Sequence, residues 1–425
     1  MLFPRNLIQD LLESARHSPV ILINGARQTG KSTLAKGLFP ERNRPQYITL
    51  DDMATAGLAK TSPKSFLQGL RERVIIDEIQ RAHELFLPIK ESVDNNRKPG
   101  RFILTGSANV LSLPKLAESL AGRMELYTLW PLSQGEIAGR KESFIDHCFR
   151  SKDVPSVKEM VLPSLLKILV SGGYPDVLAR ETARARENWY RSYINSILER
   201  DVRELSSIEG LTELPNLLSL IASRAGGLMN LADLSRSLEL PYMTLKRYLS
   251  LLQAVFLVVL LPSWSSNLGK RLVKTPKLYL NDTGLLCHLM GRDASALQAN
   301  RTMLGLVLEN FIVMELMKQA AWSQVRPRLH HYRTLDTRYE VDLVMEAANG
   351  QIVGVESKAS STVTADNCKG LRALKTDARE NFRCGIVLYN GSNVLQFDKD
   401  MMAMPVSALW SISSGNSPRL YEGRD

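Results

Sequence analysis

Short apolar runs, each followed by small or acidic residues, recur in the first third of the chain. Val20 to Ile23, Val74 to Ile76 and Phe102 to Leu104 each have the length and composition of a buried strand. Continuous apolar strands of this kind are typical of parallel sheets covered on both faces. The stretch from Ser32 to Leu38 can begin a helix after the first strand. The pattern therefore predicts an N-terminal α/β domain with a parallel sheet.

The apolar spacing changes to a helical period in the middle of the chain. Residues 162–170 and 186–205 have helical patterns, and we expect them to form a lid or linker together with the polar stretch that begins at Lys141. Residues 226–264 read as helix, turn, helix and strand, with the turn at Pro241. A basic loop between two strand patterns, SWSSNLGKRLVKTPKLYL, then follows. This order is that of a winged helix.

The last hundred residues alternate apolar and polar positions as a hairpin does. A helical stretch, MLGLVLENFIVMELMKQ, precedes a strand that begins at Glu340. Ala347 to Gly350 turns the chain, and Ile352 to Ser357 is the next strand. We therefore predict a second α/β domain at the C-terminal end.

A phosphate-binding loop follows the first predicted strand. The spacing Gly25-x4-Gly30-Lys31-Ser32 fits the P-loop pattern, in which backbone N–H groups face the phosphates of a nucleotide. Lys31 is expected to reach the β- and γ-phosphates, and the Ser32 hydroxyl is expected to ligate Mg²⁺. The residues predicted to bind ATP are Gly25, Ala26, Arg27, Gln28, Thr29, Gly30, Lys31, Ser32 and Thr33.

Two acids follow the second strand of this set. Asp77 and Glu78 lie at its C-terminal end, which is the edge where open parallel sheets bind ligands. We predict that Asp77 holds Mg²⁺ and that Glu78 polarises the attacking water. A small polar residue at the end of the next strand can contact the γ-phosphate or that water, and the residues there are Thr105, Gly106, Ser107 and Asn109.

The order of these motifs resembles the AAA-superfamily ATPases of prokaryotes that carry a C-terminal domain of unknown function. The motifs are GARQTGKST, RVIIDEIQ, RFILTGSAN, SLAGR and WPLSQGE, and GGYPDVL, ILERDVREL and KLYLNDTGLL are also similar, so the resemblance covers nearly the whole chain. It implies that Ser107 is the sensor residue and Arg123 an arginine finger, although a surface arginine fits Arg123 equally well. It also implies a homo-oligomer, with a hexamer as the family expectation.

Basic residues in the predicted winged helix suggest DNA binding. Five residues are candidate contacts, two on the second helix and three on the wing: Lys246, Arg247, Lys270, Arg271 and Lys274. A helix in the major groove with wing residues on phosphates is one interpretation. A winged helix that makes only protein contacts is the other.

Acids and a lysine in the C-terminal hairpin have the spacing of the PD-(D/E)XK nuclease core. Asp342 and Glu356 would share Mg²⁺, Lys358 would position or deprotonate a water, and Glu309 would add another acid from the preceding helix. Glu356 and Lys358 point to one face because strand side chains alternate. Three interpretations stay open: an active metal-dependent nuclease, an inactive domain that keeps a DNA-binding surface, and an unrelated hairpin.

Composition and charge favour a polyanionic partner. The chain has 425 residues and a net charge of +10. Its four cysteines form no ligand cluster, and neither a signal peptide nor a membrane span is evident, so we expect a cytoplasmic location without membrane contact.

Together these patterns predict an α/β multidomain chain. The predicted domains are a P-loop ATPase domain (residues 1–142), a helical lid or linker (143–222), a winged helix (223–290) and a nuclease-like domain (291–425). The function hypothesis is ATP hydrolysis coupled to remodelling of, or translocation on, duplex or branched DNA. The alternative is a nucleotide-controlled switch with an inactive recognition domain.

Overall fold

The computed structural model contains two α/β parts joined by helices. It describes residues 2–108, 120–151, 155, 157, 159–205, 213–267, 269, 271, 274–334, 336 and 338–418. The strands are β1 Val20–Asn24, β2 Gln46–Thr49, β3 Val74–Asp77, β4 Phe102–Gly106, β5 Met124–Thr128, β6 Arg140–Glu142, β7 Val258–Leu261, β8 Lys277–Leu280, β9 Arg328–Arg333, β10 Glu340–Glu346, β11 Ile352–Lys358, β12 Phe382–Tyr389, β13 Leu395–Asp398, β14 Met401–Pro405 and β15 Ser413–Asn416.

The N-terminal sheet is five-stranded and parallel. Its order is β2-β3-β4-β1-β5, with Ile21 opposite Ile103 and Ile75 opposite the same residue on the other side. The three predicted strands are thus neighbours at the centre of the sheet, and their carboxyl ends share one edge. The α-helices beside this sheet are Ile8–Ser14, Lys31–Lys36, Met53–Thr61, Pro63–Gln68 and Phe86–Asn95, and 3-10 helices span Glu41–Asn43 and Ile79–Leu85.

Helices connect this sheet to the C-terminal part. The further α-helices are Gln134–Ile137, Phe144–Arg150, Leu162–Ser171, Pro175–Leu178, Ala183–Ser196, Val202–Leu205, Leu214–Ser223, Leu231–Leu238, Tyr242–Ala254, Thr283–Leu289, Ala294–Ala299, Arg301–Ala320, Lys369–Ala378 and Ala408–Ser411, and a π-helical turn spans Ile197–Asp201. The polar stretch after Lys141 is not only a linker, because Phe144 and Ile145 on one of these helices are buried.

The segment expected to be a winged helix contains two helices and a two-stranded sheet. Helices Leu231–Leu238 and Tyr242–Ala254 precede β7, which pairs with β8 in antiparallel fashion. Leu245, Leu249 and Leu252 are buried on one face of the second helix, as their spacing predicts.

The C-terminal sheet is six-stranded and mixed. Its order is β13-β14-β12-β11-β10-β9, with β9, β10 and β11 antiparallel and β11, β12 and β14 parallel. Helices Arg301–Ala320 and Lys369–Ala378 contact its strands. Further 3-10 helices span Ala365–Cys368 and Arg379–Asn381.

A separate small core that includes Trp264, Val341 and Leu371 packs at the C-terminal sheet, whereas the main core begins at residue 144 and extends into the same sheet. The main core includes Leu165 of the lid, Leu249 of the helical pair, Leu308 of the long helix and Val353 of the C-terminal sheet. The predicted boundaries at residues 222 and 290 therefore fall inside a shared core. β15 returns to pair with β6, which ties the C-terminal end to the end of the ATPase domain. Within the described ranges, no helix is both long and apolar enough to cross a bilayer.

Candidate functional site

The phosphate loop joins β1 to helix Lys31–Lys36 and has the backbone that its glycines allow. Gly25 has φ 142° and Gly30 has φ 92°, a region that residues with a Cβ rarely adopt. A Cβ at Gly25 would lie 2.2 Å from the Leu129 carbonyl oxygen, so this glycine also permits a close approach of two backbones. Gln28 is left-handed as well, at φ 59°. The loop is therefore tightly curled, as a phosphate cradle requires.

Lys31 lies inside the curl of the loop. Its Nζ donates to the carbonyl oxygens of Gly25 at 3.0 Å and Ala26 at 2.8 Å. Burial lowers the pKa of Lys31 to about 8, although the carboxylates of Glu78 and Asp77 oppose that change. A phosphate group at this lysine would favour its charged form.

Asp77 accepts hydrogen bonds from three side-chain hydroxyls at the carboxyl edge of the sheet. Ser32 Oγ donates to its Oδ1 at 2.8 Å, Tyr47 Oη donates to its Oδ2 at 2.6 Å, and Thr105 also donates to Oδ1. The structure thus brings the two predicted Mg²⁺ ligands, Ser32 and Asp77, into direct contact.

Glu78 is held beside Asp77 by two polar side chains. Ser107 Oγ donates to Glu78 Oε2 at 3.1 Å, and the Gln80 amide donates both to that carboxylate and, at 3.0 Å, to Ser107 Oγ. Glu78 also has φ 58°, which costs about 1–3 kcal/mol for a residue other than glycine. The backbone at Glu78 is strained, and the contacts with Ser107 and Gln80 hold its carboxylate at the edge of the sheet.

This donor set fits a magnesium nucleotide. Hydroxyl and carboxylate oxygens are the ligands that Mg²⁺ prefers, and P-loop sites use one or two of them together with phosphate oxygens. Ser32 and Asp77 would hold the ion, and the loop amides with Lys31 would hold the phosphates. The bound ion would neutralise phosphate charge. Glu78, held by Ser107, would orient the water.

Arg27 of the loop contacts the helical lid. Its Nε donates to both carboxylate oxygens of Asp201, at 3.0 and 2.8 Å. Tyr193 Oη donates to the Arg27 carbonyl oxygen at 3.3 Å and shares a 2.8 Å hydrogen bond with Tyr174 Oη. Asn281, directly after β8, donates to the same Tyr174 oxygen at 2.9 Å. A buried line of polar groups thus joins the loop to β8.

Arg123 lies before β5 at the surface. Its guanidinium contacts Asp94 on helix Phe86–Asn95, with Nη2 3.1 Å from Oδ2. The side chain is 28% exposed. Its assignment as an arginine finger stays a prediction.

The predicted DNA contacts have different surroundings. Lys246 and Arg247 are exposed on helix Tyr242–Ala254. Arg271 instead forms a bidentate ion pair with Glu346 of the C-terminal sheet, at 2.6 and 2.9 Å. Lys274 Nζ lies 3.4 Å from the Arg333 carbonyl oxygen. Lys270 lies outside the described residues.

The four residues of the nuclease-like pattern lie in one region, but a lysine from β8 lies among their carboxylates. Lys277 Nζ is 2.8 Å from Glu309 and 3.4 Å from Asp342, and it also contacts Glu340. Tyr279 Oη donates to the same Glu309 oxygen at 2.8 Å. Burial alone would lower the pKa of Lys277, but the carboxylates raise it above its ordinary value.

Glu356 and Lys358 lie beside this cluster on β11. Lys358 Nζ donates to Glu356 Oε1 at 2.7 Å, while Ser357 donates to Asp342 Oδ2 through N at 2.9 Å and through Oγ at 2.7 Å. Burial first, and then the Asp342 charge, raises the pKa of Glu356 to about 8; the same causes raise that of Glu309 to about 7. In the described part of the chain, no three Asp, Glu, His or Cys side chains are placed to hold a metal ion together.

Several side chains of these sites have weak local signals. Gln80 lies in the motif RVIIDEIQ, two residues after Glu78, and this short spacing indicates a side chain close to the Glu78 carboxylate. Asp201 lies in ILERDVREL, a motif that suggested the family but not the contact with the loop, and nothing near Tyr47 in the sequence indicates its contact with Asp77. Lys277 begins KLYLNDTGLL, a motif that suggested the family but no chemistry.

Comparison with known proteins divides the chain into three regions. The profile of an AAA domain matches residues 17–138, and profiles of two domains of unknown function, DUF8612 and DUF4143, match residues 162–296 and 304–409. The uncharacterized protein Rv2008c of Mycobacterium tuberculosis is 30% identical over 418 residues, which is 97% of this chain and 86% of that protein. The chain belongs to the same family as Rv2008c.

Two further matches are more distant in sequence. The uncharacterized protein MJ1544 of Methanocaldococcus jannaschii is 22% identical over 414 residues, which is 90% of this chain and 88% of that protein. Among solved structures, RuvB of Thermotoga maritima aligns at 19% identity with a TM-score of 0.29, over 59% of this chain and 86% of that one. The matched AAA domain, with its five-stranded parallel sheet, makes the N-terminal part a P-loop AAA ATPase domain, followed by DUF4143.

Proposed function

We propose that the protein is a Mg²⁺-dependent ATPase that binds DNA and couples ATP hydrolysis to remodelling of, or translocation on, duplex or branched DNA as a homo-oligomer. The observation that carries the proposal is the arrangement at the sheet edge. Asp77 contacts Ser32, and Glu78 is held by Ser107, so the residues proposed to hold the ion and the carboxylate proposed to orient the water are side by side. A protein that bound nucleotide without hydrolysing it would not need the contact between Glu78 and Ser107.

Hydrolysis is tested by replacing the water-orienting carboxylate. We expect Glu78→Gln to lower the ATP turnover rate by roughly 10²–10⁴-fold while ATP binding persists, because the amide cannot accept the water's proton. Lys31→Ala should lose binding as well. Glu72→Gln, at an exposed position just before β3, is the matched control and should leave turnover unchanged. Undiminished turnover in Glu78→Gln would refute this assignment.

The DNA part of the proposal is supported by charge and exposure. The net charge is +10. Lys246 and Arg247 are exposed near the start of helix Tyr242–Ala254, which a short turn joins to the preceding helix Leu231–Leu238. Exposed basic side chains at such positions can contact phosphates and bases.

DNA binding is tested by measuring ATP turnover and affinity with single-stranded, duplex and branched DNA. We expect at least one DNA to stimulate turnover, and the double reversal Lys246→Glu/Arg247→Glu to weaken binding and lower the salt dependence by about two counterions. The matched control is Lys60→Glu/Lys64→Glu, which makes the same charge change on helices of the ATPase domain. A turnover rate that no DNA alters would contradict the coupling to DNA.

One observation favours a nucleotide-controlled switch as the second candidate. Polar contacts join the loop, through Arg27, to Asp201 and Tyr193 in the lid, so a ligand that moves the loop would alter these contacts as well. In this alternative, turnover is slow and the C-terminal domain recognises a partner. Partner complexes trapped by Glu78→Gln in the absence of DNA would support the switch and contradict the DNA-coupled motor.

A further inference from the structure

The buried ammonium group of Lys277 plays no part in the proposed ATPase function. This lysine begins β8, and its side chain is only 2% exposed. A charged group that is removed from water in this way is costly unless opposite charges and hydrogen bonds replace the lost solvent. Its surroundings show that they do.

Three carboxylates satisfy the ammonium group. Glu309 comes from helix Arg301–Ala320, whereas Glu340 and Asp342 come from β10. An ammonium group has three N–H donors. The Lys277 ammonium donates to Glu309 at 2.8 Å and to Asp342 at 3.4 Å, and it forms an ion pair with Glu340. The three contacts come from two different elements, so they fix the position of the ammonium group between them.

The acids that a nuclease of the predicted kind would use for metal are among these partners. Asp342 and Glu309 are two of the three predicted metal ligands, and Lys277 contacts both. Mg²⁺ requires oxygen ligands at close distance and near-octahedral geometry. An ammonium group among the same oxygens repels a divalent ion and uses the lone pairs that the ion needs.

We infer that the Lys277 ammonium is the resident cation of this carboxylate cluster, so that the native domain holds no catalytic divalent metal at Glu309 and Asp342 and does not cleave DNA. The cluster is a cation site whose occupant is part of the chain. This inference concerns the C-terminal domain alone and does not rest on the proposed ATPase activity.

The remaining contacts support a structural cation rather than a mobile one. Tyr279, on the same strand, donates to Glu309, and Ser357 donates twice to Asp342, so the acceptors themselves are oriented. Backbone hydrogen bonds also flank the strand, because Gly226 N donates to Leu278 O at 2.8 Å and Leu278 N donates to Gly227 O at 3.0 Å. Lys277 is thus placed by β8 at a fixed depth.

The test removes the ammonium group and asks whether a metal replaces it. Lys277→Met keeps most of the side-chain length without the charge, and Mn²⁺ is titrated in the absence of nucleotide with bound ion measured by electron paramagnetic resonance. We expect Lys277→Met to gain one Mn²⁺ per chain, with affinity at least about tenfold above wild type. The gain should disappear in Lys277→Met/Asp342→Asn. Lys277→Arg, which keeps a cation, should gain none.

Wild-type protein provides the second arm. Wild type and Asp342→Asn should bind equal Mn²⁺, and neither should cleave supercoiled plasmid with Mg²⁺ or Mn²⁺. Binding or cleavage by wild type that Asp342→Asn abolishes would overturn the inference, and so would a folded Lys277→Met that gains no Mn²⁺. Circular dichroism shows whether that variant is folded, and if it is not, the comparison of wild type with Asp342→Asn decides alone.

Discussion

Replacing Asp201 with asparagine removes the charge that the phosphate loop contacts in the lid. Arg27 Nε lies within 3.0 Å of both carboxylate oxygens, and the two side chains are 19% and 6% exposed. Burial alone would lower the pKa of Arg27, but the Asp201 carboxylate raises it. The guanidinium stays charged even when Asp201 is neutralised, because an arginine side chain is effectively always protonated in proteins.

The expected cost lies between two limits. Breaking a buried ion pair by removing one partner costs about 3–5 kcal/mol, whereas an exposed pair contributes about 0.2–1 kcal/mol. Arg27 retains some contact with water and asparagine retains one acceptor, so we expect Asp201→Asn to lower the free energy of unfolding by about 2 kcal/mol. The neighbouring Glu199→Gln, at an exposed position, should change it by less than about 0.5 kcal/mol.

A double-mutant cycle separates the pair from its surroundings. Arg27→Met, Asp201→Asn and the double variant are unfolded in urea and followed by tryptophan fluorescence, since Trp189 stacks on Tyr193 at 4.8 Å beside this contact. We expect a coupling energy of about 1–2 kcal/mol. If the two single effects add to within about 0.5 kcal/mol, the loop and the lid are not energetically linked through this pair, and the reasoning fails.

Two further predictions concern the loop itself. ATP binding near pH 8 should take up protons, because burial lowers the pKa of Lys31 to about 8 and phosphate restores its charge. Uptake is measured by titration calorimetry in buffers of different ionisation enthalpy, and uptake that is equally large at about pH 6, where the lysine is already charged, would contradict the prediction. Gly25→Ala should destabilise the protein by roughly 3 kcal/mol and Gly30→Ala by about 1 kcal/mol, since only at Gly25 would the new Cβ meet Leu129. Equal decreases in the melting temperature of the two variants would show that the loop moves to relieve the overlap with Leu129, and would contradict the prediction.

The central strands and their ligand-binding edge could be predicted because their signals are local. The apolar runs beginning at Val20, Val74 and Phe102 each became a strand of one parallel sheet. The residues at the C-terminal ends of parallel strands meet at one edge of the sheet. Their order in the sequence therefore predicts that Asp77 lies near the phosphate loop. The contact with the Tyr47 hydroxyl could not be predicted, because β2 carries no acidic or glycine signal.

Contacts between distant segments account for what the sequence could not show. Arg27 was predicted to bind ATP with the rest of the loop, and its contact with the lid had no local signal, since its partner Asp201 is 174 residues away. Arg271 was predicted to contact DNA phosphates. Its guanidinium forms a bidentate ion pair with the carboxylate of Glu346, which lies 75 residues later in the chain. A lysine between apolar strand residues is usually solvated at the strand edge. Nothing local therefore indicated that Lys277 turns inward.

β8 also bears on how this protein can be divided. Two separately recognised regions end at residue 296 and begin at residue 304, yet Lys277 lies in the first and its partner acids lie in the second. A fragment cut between them would leave one piece with a buried ammonium group and the other with uncompensated acids. The two regions thus share one buried ion cluster. A substitution that removes or reverses a charge of this cluster in one region requires a compensating substitution in the other.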